Sequence, residues 1–391
     1  MLVFSKDSDS LAYYFKAPSA LRRSSQPFIS FDAHKDSTFT LTLGFNGFIS
    51  IGDSSFSTIL DNSSQPPNLQ GGLLLKYNYT GDLLWARKMG DGLINPVEHF
   101  VDEAGDIFLL GTYGKWGGLL PILGDDTLPG TGLFLSKISA TNEILWTKTI
   151  EVTRDILNSP PELSFGQSPD GAMLICADFY SGAGIFIDGN IKGSPNKPTL
   201  MLAKLSDQGD FVWTAFPDVE RTFPPNFITM AIGSNNQIAI AGNFIGTAVF
   251  GDHTLKNDSA WDMFVVVYDS TGEAVYATVS NTSNAESGSW ALAEAWGFNH
   301  LGELIITGSF TGPNFQLGAF SIDRVSPWGR RFFAALALDP GTSSIEPRQS
   351  SRMMIAPNPA SDHIRIRLSG SRIAPGKLYT LSLYDIQGRR F

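Results

Sequence analysis

The chain has 391 residues, a net charge of −10 and a sequence pI near 5.0, with 17% charged residues, 39 glycines and one cysteine. An acidic chain lacks the clustered Lys and Arg that phosphate binding needs, which argues against nucleic acid as partner. The single Cys176 excludes an internal disulfide and any multi-cysteine metal site, and no apolar stretch reaches the ~18 residues of a membrane span.

The first residues, Met1 to Lys6, show no positive n-region, apolar core or small-residue cleavage site of a signal peptide. LVFSKDSDSLAYYF (2–15) reads as a hairpin, and FTLTLGFNGFISIGD (39–53) as an apolar strand running into glycine and phenylalanine. That order then recurs. GLLLKYNYTGDLLWA (72–86), GLFLSKISATNEILWT (132–147), LMLAKLSDQGDFVWT (200–214) and MFVVVYDSTGEAVYA (263–277) each give an apolar strand, a polar turn, a second strand and an aromatic. The aromatics are Trp85, Trp146, Trp213 and Tyr276, spaced by 61, 67 and 63 residues, and self-similarity at such a period signals an array of supersecondary units.

The other half of each unit repeats as well. Turns rich in Asp, Asn and Gly (DEAGD from 102, SPDG from 168, SNNQ from 234, NHLGE from 299) lead into apolar strands ending LGTYG, ADFYSG, AGNFIG and TGSFTG. ILGDDTL (122–128), IFIDGNI (185–191), VFGDHTL (249–255) and FQLGAF (315–320) follow. Four strands per unit are what a propeller blade requires, and the short apolar runs bounded by Gly, Asn, Asp or Pro do not fit a helical array. The predicted fold is therefore all-β: a β-propeller of four-stranded blades at about 1–70, 71–130, 131–198, 199–260 and 261–330. One more strand, RFFAALALDPGTSSI (331–345), either closes a five-bladed ring against the first blade or belongs to a longer array.

After a linker at 346–352 the character changes. Residues 348–391 hold eight basic and two acidic residues, so this tail is +6; the remaining 20 basic and 36 acidic residues leave the body at −16. A sign change of this kind marks a domain boundary. Pro357 and Pro359 restrict Ala356 and Asn358 to extended backbone, and His363 to Leu368 alternates apolar and polar as a half-buried strand does. Another strand is expected from Tyr379 to Tyr384, before a turn at Gly388. Residues 353–391 thus read as an incomplete β-sandwich.

The opening hairpins and the Gly-Ser/Asn-Phe-x-Gly signature resemble the bacterial SBBP-type β-propeller repeats over about residues 1–345. The tail resembles the Ig-like C-terminal sorting domain of the type IX secretion system of Bacteroidota, on Pro357-Asn358-Pro359, the strand to Leu368, Tyr384-Asp385 and Gly388-Arg389. This second resemblance implies the type IX machinery as a partner and a secreted or outer-membrane surface location. The family's later strands are absent and the chain begins inside a repeat, so the sequence is expected to be a piece of a longer protein.

No Gly-x-Ser-x-Gly, phosphate-loop or His-Glu-x-x-His pattern occurs. The five histidines, His34, His99, His253, His300 and His363, are far apart in the chain and read as structural. Asp102, Asp106, Asp170, Asp252 and Asp269 fall in turns, where a carboxylate bonds its own backbone. Clustered oxygens at Asp7 and Asp9, and at Asp125 and Asp126, are weak calcium candidates without a full binding loop; no other cofactor is indicated. The expected function is non-enzymatic: loops presented to a glycan, protein or cell surface. The alternatives are a carbohydrate-active enzyme using channel carboxylates and a structural spacer.

Overall fold

The computed structural model describes residues 2–4, 11–14, 29–46, 48–58, 70–115, 120–154, 156, 159–179, 181–220, 228–281, 291–299, 302–311, 314–317, 320–323, 330–337, 352–356 and 365–369. Among them the structure is all-β and antiparallel; no helix forms, and so none is long and apolar enough to cross a membrane.

Successive sheets share one plan. The first contains Ile29–Ala33, Thr38–Asn46, Gln70–Asn78 and Leu83–Lys88, hydrogen-bonded in that order. The second contains Leu93–Val101, Ile107–Gly114, Gly132–Ile138 and Ile144–Glu151. The third contains Glu162–Gln167, Met173–Phe179, Thr199–Leu205 and Phe211–Ala215. Thr229–Ile232, Ile238–Phe250, His253–Tyr268 and Ala274–Asn281 form the same core in the fourth, and the fifth has Ala291–Phe298, Glu303–Phe310 and Arg330–Ala337. These positions are the inner, second, third and outer strands. In the second and third sheets the second and third strands are buried on both faces, which is why they read as unbroken apolar runs rather than alternating ones.

Each core lies between two neighbouring sheets. One face of the second sheet packs with Leu74 of the first, its other face with Ile175 and Met201 of the third; Cys176 joins Ile240 and Val266 at the next seam. The inner strands of successive sheets are neighbours, so the sheets fan out from a common line. Short hairpins between second and third strands clip one sheet to the next: Asp91 pairs with Ile122, Val152 with Ile185, Asp218 with Val249, and Asn281 with Gln316.

Three features differ from the sequence reading. The sheets are offset by half a repeat from the marked units, because Gln70–Asn78 pairs back onto Thr38–Asn46 and not forward onto Ile107–Gly114. ILGDDTL and its equivalents form the clipping hairpins, while the true fourth strand is the inner one, such as Leu93–Val101. The strand after residue 330 does not close on the first sheet; it is the third strand of the fifth, with Phe332 opposite Gly308. Among the described residues the N-terminal strands Leu2–Phe4 and Leu11–Tyr14 pair with each other, and no ring closure is seen. In the tail, Arg352–Ala356 pairs with Arg365–Ser369, placing Ile355 opposite Ile366. Arg352, assigned to the linker by its sequence, is thus the first residue of a strand, while His363 lies outside the described residues.

A glycine–aromatic pair recurs at the middle of the sheets. Gly111 faces Phe134, Gly242 faces Phe264 and Gly308 faces Phe332 across the second and third strands. The ring lies over the bare Cα: a Cβ on Gly111 would meet Phe134 Cε1 at 2.4 Å, and one on Gly308 would meet Phe332 Cε1 at 2.4 Å. The third sheet has Ala177 opposite Met201, and the first has Leu43 opposite Leu73. Where the second strand carries a Cβ, its partner is not a phenylalanine.

Candidate functional site

Every inner strand turns into its second strand through a five-residue loop closed by main-chain bonds: His34 to Thr38, Asp102 to Asp106, Ser168 to Ala172, Gly233 to Gln237 and Asn299 to Glu303. The fourth residue has positive φ, supplied by Ser37, Gly105, Gly171, Asn236 and Gly302. Asp102 Oδ1 accepts from the Ala104 and Asp106 N–H groups, and Asp269 Oδ1 from Thr271 and Glu273, as expected for turn aspartates. Together these loops form one face, here the turn face.

On that face three sheets carry an ionic staple that the sequence reading missed. Lys76, Lys137 and Lys204 lie on third strands, and their side chains are only 8, 16 and 9% exposed. Each reaches a carboxylate of its own turn: Lys76 to Asp36 at 3.5 Å, Lys137 to Asp106 at 3.1 Å and Lys204 to Asp170 at 2.6 Å. Directly across the hairpin from these lysines stand Trp85, Trp146 and Trp213. In the fourth sheet Val267 faces Tyr276 and the turn Gly233–Gln237 holds no carboxylate, so lysine, tryptophan and acid change together. The readable signal was Lys recurring nine residues before each Trp. The aromatics themselves lie against the following sheet: Trp146 covers Gly209, and Trp213 covers Gly272 while its Nε1 donates to Ser270 O at 3.0 Å. Trp85 and Tyr276 pack into the seams with the second and fifth sheets.

The staple yields a stability prediction. Asp170→Asn leaves a nearly buried ammonium without its anion and is expected to cost about 1–2 kcal/mol, moderated by the partial exposure of Asp170. Adding Lys204→Val, the residue type of the fourth sheet, should recover most of that loss in urea unfolding.

At the inner strands, buried and half-buried polar groups bridge the seams. Asp32 Oδ2 accepts from Val101 N at 2.7 Å, and Glu98 Oε2 accepts from Phe165 N at 2.6 Å. His34 Nε2 and His99 Nε2 share the Thr40 hydroxyl at 3.0 and 2.7 Å, so two histidines 65 positions apart in sequence meet across the first seam. Glu98 and His99 point to opposite seams as neighbours on an extended strand do, and a bulge between Pro96 and Glu98 sets this phase. Burial, with the negative charge of Glu162 adding to it, pushes the Glu98 carboxyl up to about 7, against the opposing bond from Phe165. Partial desolvation and the charge of Asp178, its register partner, raise the exposed Glu162 as well. Burial, then nearby His34, holds His99 down at about 3. Glu98, Glu162 and Asp178 are not among the sequence candidates; for Glu98, the bulge breaks the period-two pattern of its strand.

Farther along the turn face, where the third, fourth and fifth sheets meet, lies a hollow of about 380 Å³ lined by Gln167, Pro169, Ile232, Gly233, Ser234, Phe298 and Asn299. None of these side chains is ionisable. Gln167 Nε2 donates to Gly171 O at 3.2 Å, and Asn299 is committed to Glu303. Gln167 is two residues from Phe165, so the hollow opens about 7 Å along the strand from the Glu98 contact. Asp125 and Asp126 sit on the exposed turn of a clipping hairpin, and among the described residues no group of three or more His, Cys, Asp or Glu side chains is arranged to hold a metal. Asp7, Asp9, Pro357, Asn358, Pro359, Tyr384, Asp385, Gly388 and Arg389 lie outside the described residues.

No protein-family model matches the chain, and no curated protein matches it. Among solved structures, the chain is similar at 10% identity and a TM-score of 0.36 to a polysaccharide lyase of family PL25, an ulvan lyase, covering 89% of this chain and 81% of that one. The same lyase bound to -[GlcA(1-4)Rha3S]- aligns at 9% identity with the same TM-score of 0.36 and the same 89% and 81% coverage.

Proposed function

We propose that the chain is part of an exported, non-enzymatic β-propeller that offers its turn face to a ligand, with the hollow between the third, fourth and fifth sheets as the seat. The observation behind this reading is the succession of sheets fanning from their inner strands, with an uncharged hollow on the turn face. Export rests on the resemblance of the tail to the type IX sorting domain. Pull-down and glycan-array screening of the body test the binding role; a body that captures nothing in either screen refutes it. Fusing a completed tail to a reporter in a type IX-competent bacterium tests export, and retention inside the cell would refute that assignment.

Glu98 supports a second reading. A carboxyl poised near neutral pH beside a second raised carboxyl is the arrangement an acid–base catalyst uses on a polysaccharide. Its Oε2 is tied to Phe165 N–H, which equally suits a seam role. Incubation with a polysaccharide panel separates the two: products formed by the natural chain and lost in Glu98→Gln favour the enzyme.

A further inference from the structure

We infer that the ligand of the turn-face hollow is a neutral saccharide unit, packed against Phe298 and hydrogen-bonded through Gln167 and Ser234. This rests on the reading of the hollow as the ligand seat. The chemistry of the lining carries it. An aromatic ring with proline and isoleucine beside it suits the C–H face of a sugar ring, and an amide and a hydroxyl suit its hydroxyl groups. Gly233 lies beneath the ring: a Cβ there would meet Phe298 Cδ2 at 3.3 Å, so the ring would have to shift by a few tenths of an ångström to admit one. The Gln167 Nε2 bond to Gly171 O orients the amide and leaves Oε1 outside that bond to accept from a hydroxyl.

Neutrality follows from what the fourth sheet has lost. In the first three sheets a lysine and a carboxylate occupy the turn face; those of the third, Lys204 and Asp170, stand at the edge of the hollow paired with each other at 2.6 Å, and the Glu303 carboxylate accepts from Asn299 Nδ2. In the fourth sheet those positions hold Val267 and the turn Gly-Ser-Asn-Asn-Gln, so a carboxylate or sulfate on the ligand would be desolvated with no counter-charge in the lining. A hydroxylated, uncharged unit loses nothing of that kind. The hollow's size also fits the lower end of small-ligand sites, about 300–1,000 Å³.

The test is calorimetric titration of the full chain with cello-, xylo- and manno-oligosaccharides, and with oligogalacturonate and a sulfated glycan as charged probes. Binding of at least one neutral probe is expected, weakened about tenfold or more in Ser234→Trp, which fills the hollow from its exposed rim without removing packing. Gln167→Ala should weaken the same probe. Binding of only the charged probes, abolished by Ser234→Trp, would overturn neutrality while keeping the seat. Binding that Ser234→Trp leaves unchanged would overturn the seat itself, and binding of no probe would overturn the saccharide class.

Discussion

Gly111→Ala is expected to cost about 3 kcal/mol, the upper end of what overpacking a core commonly costs. The new Cβ would stand 2.3 Å from Asn95 O and 2.4 Å from the Phe134 ring, and neither neighbour is the far end of a flexible side chain. Urea unfolding of the natural chain, Gly111→Ala, Phe134→Met and the double variant forms a cycle that separates the two contacts. The third sheet already carries the double variant's pair, Ala177 opposite Met201. Its inner strand has no bulge against the second strand, whereas those of the second and fifth sheets do, between Pro96 and Glu98 and between Ala295 and Gly297. In these two sheets the inner-strand carbonyls of Asn95 and Leu292 approach Gly111 and Gly308. Phe134→Met should therefore recover only the ring's share of the loss. Full recovery would show that the carbonyl contact costs nothing, and no loss in Gly111→Ala alone would remove the account of the glycine signature.

That signature shows how far the amino-acid pattern could be read. The repeat, the all-β class and the turns at Asp102 and Asp269 were legible because short apolar runs, glycines at the αL position and Asx side chains act locally. The phase of the sheets was not legible. A tandem repeat reads identically from any starting point, and only the pairing of Gln70–Asn78 with Thr38–Asn46 chooses one. The inner strands escaped notice for a related reason: Leu93–Val101 contains Pro96, a bulge, and two neighbouring ionisable residues buried against different sheets, so no single alternation runs through it. The lysine staple was legible in principle, since Lys and Trp recur at a fixed distance, but a lysine in an apolar strand looks like a snorkelling surface residue until its turn carboxylate is placed beside it. The hollow depends on three loops from three repeats, and nothing local announces it.

The second large effect concerns pH, and its two halves oppose each other. His99 has a folded-state pKa of about 3 against 6.5 for the free side chain, so it contributes stability above the unfolded value that is lost as pH falls. By pH 4.5 that loss is about 3 kcal/mol, from ~1.4 kcal/mol per unit between 6.5 and 4.5. Glu98 is raised to about 7 from 4.5, which is the reverse case: the folded state favours the protonated acid, so stability falls as pH rises from 4.5 through 7, again by about 3 kcal/mol. His34, also lowered by burial, adds to the first effect and the raised Glu162 to the second, and the depressed Asp36 and Asp170 act only further into acid. Between pH 4.5 and 8 the natural chain should thus show a nearly flat unfolding free energy. Glu98→Gln keeps the acceptor for Phe165 N–H but removes the titration, and its stability should fall steeply on acidification. His99→Gln removes the other half, and its stability should rise on acidification. Parallel slopes for the two variants, measured by denaturant unfolding at pH 4.5, 6 and 8, would refute the opposed pair. Glu98 and His99 are consecutive on one extended strand and so face different seams, with the bulge before them setting which residue faces which, so the pH balance of the body is a consequence of strand geometry.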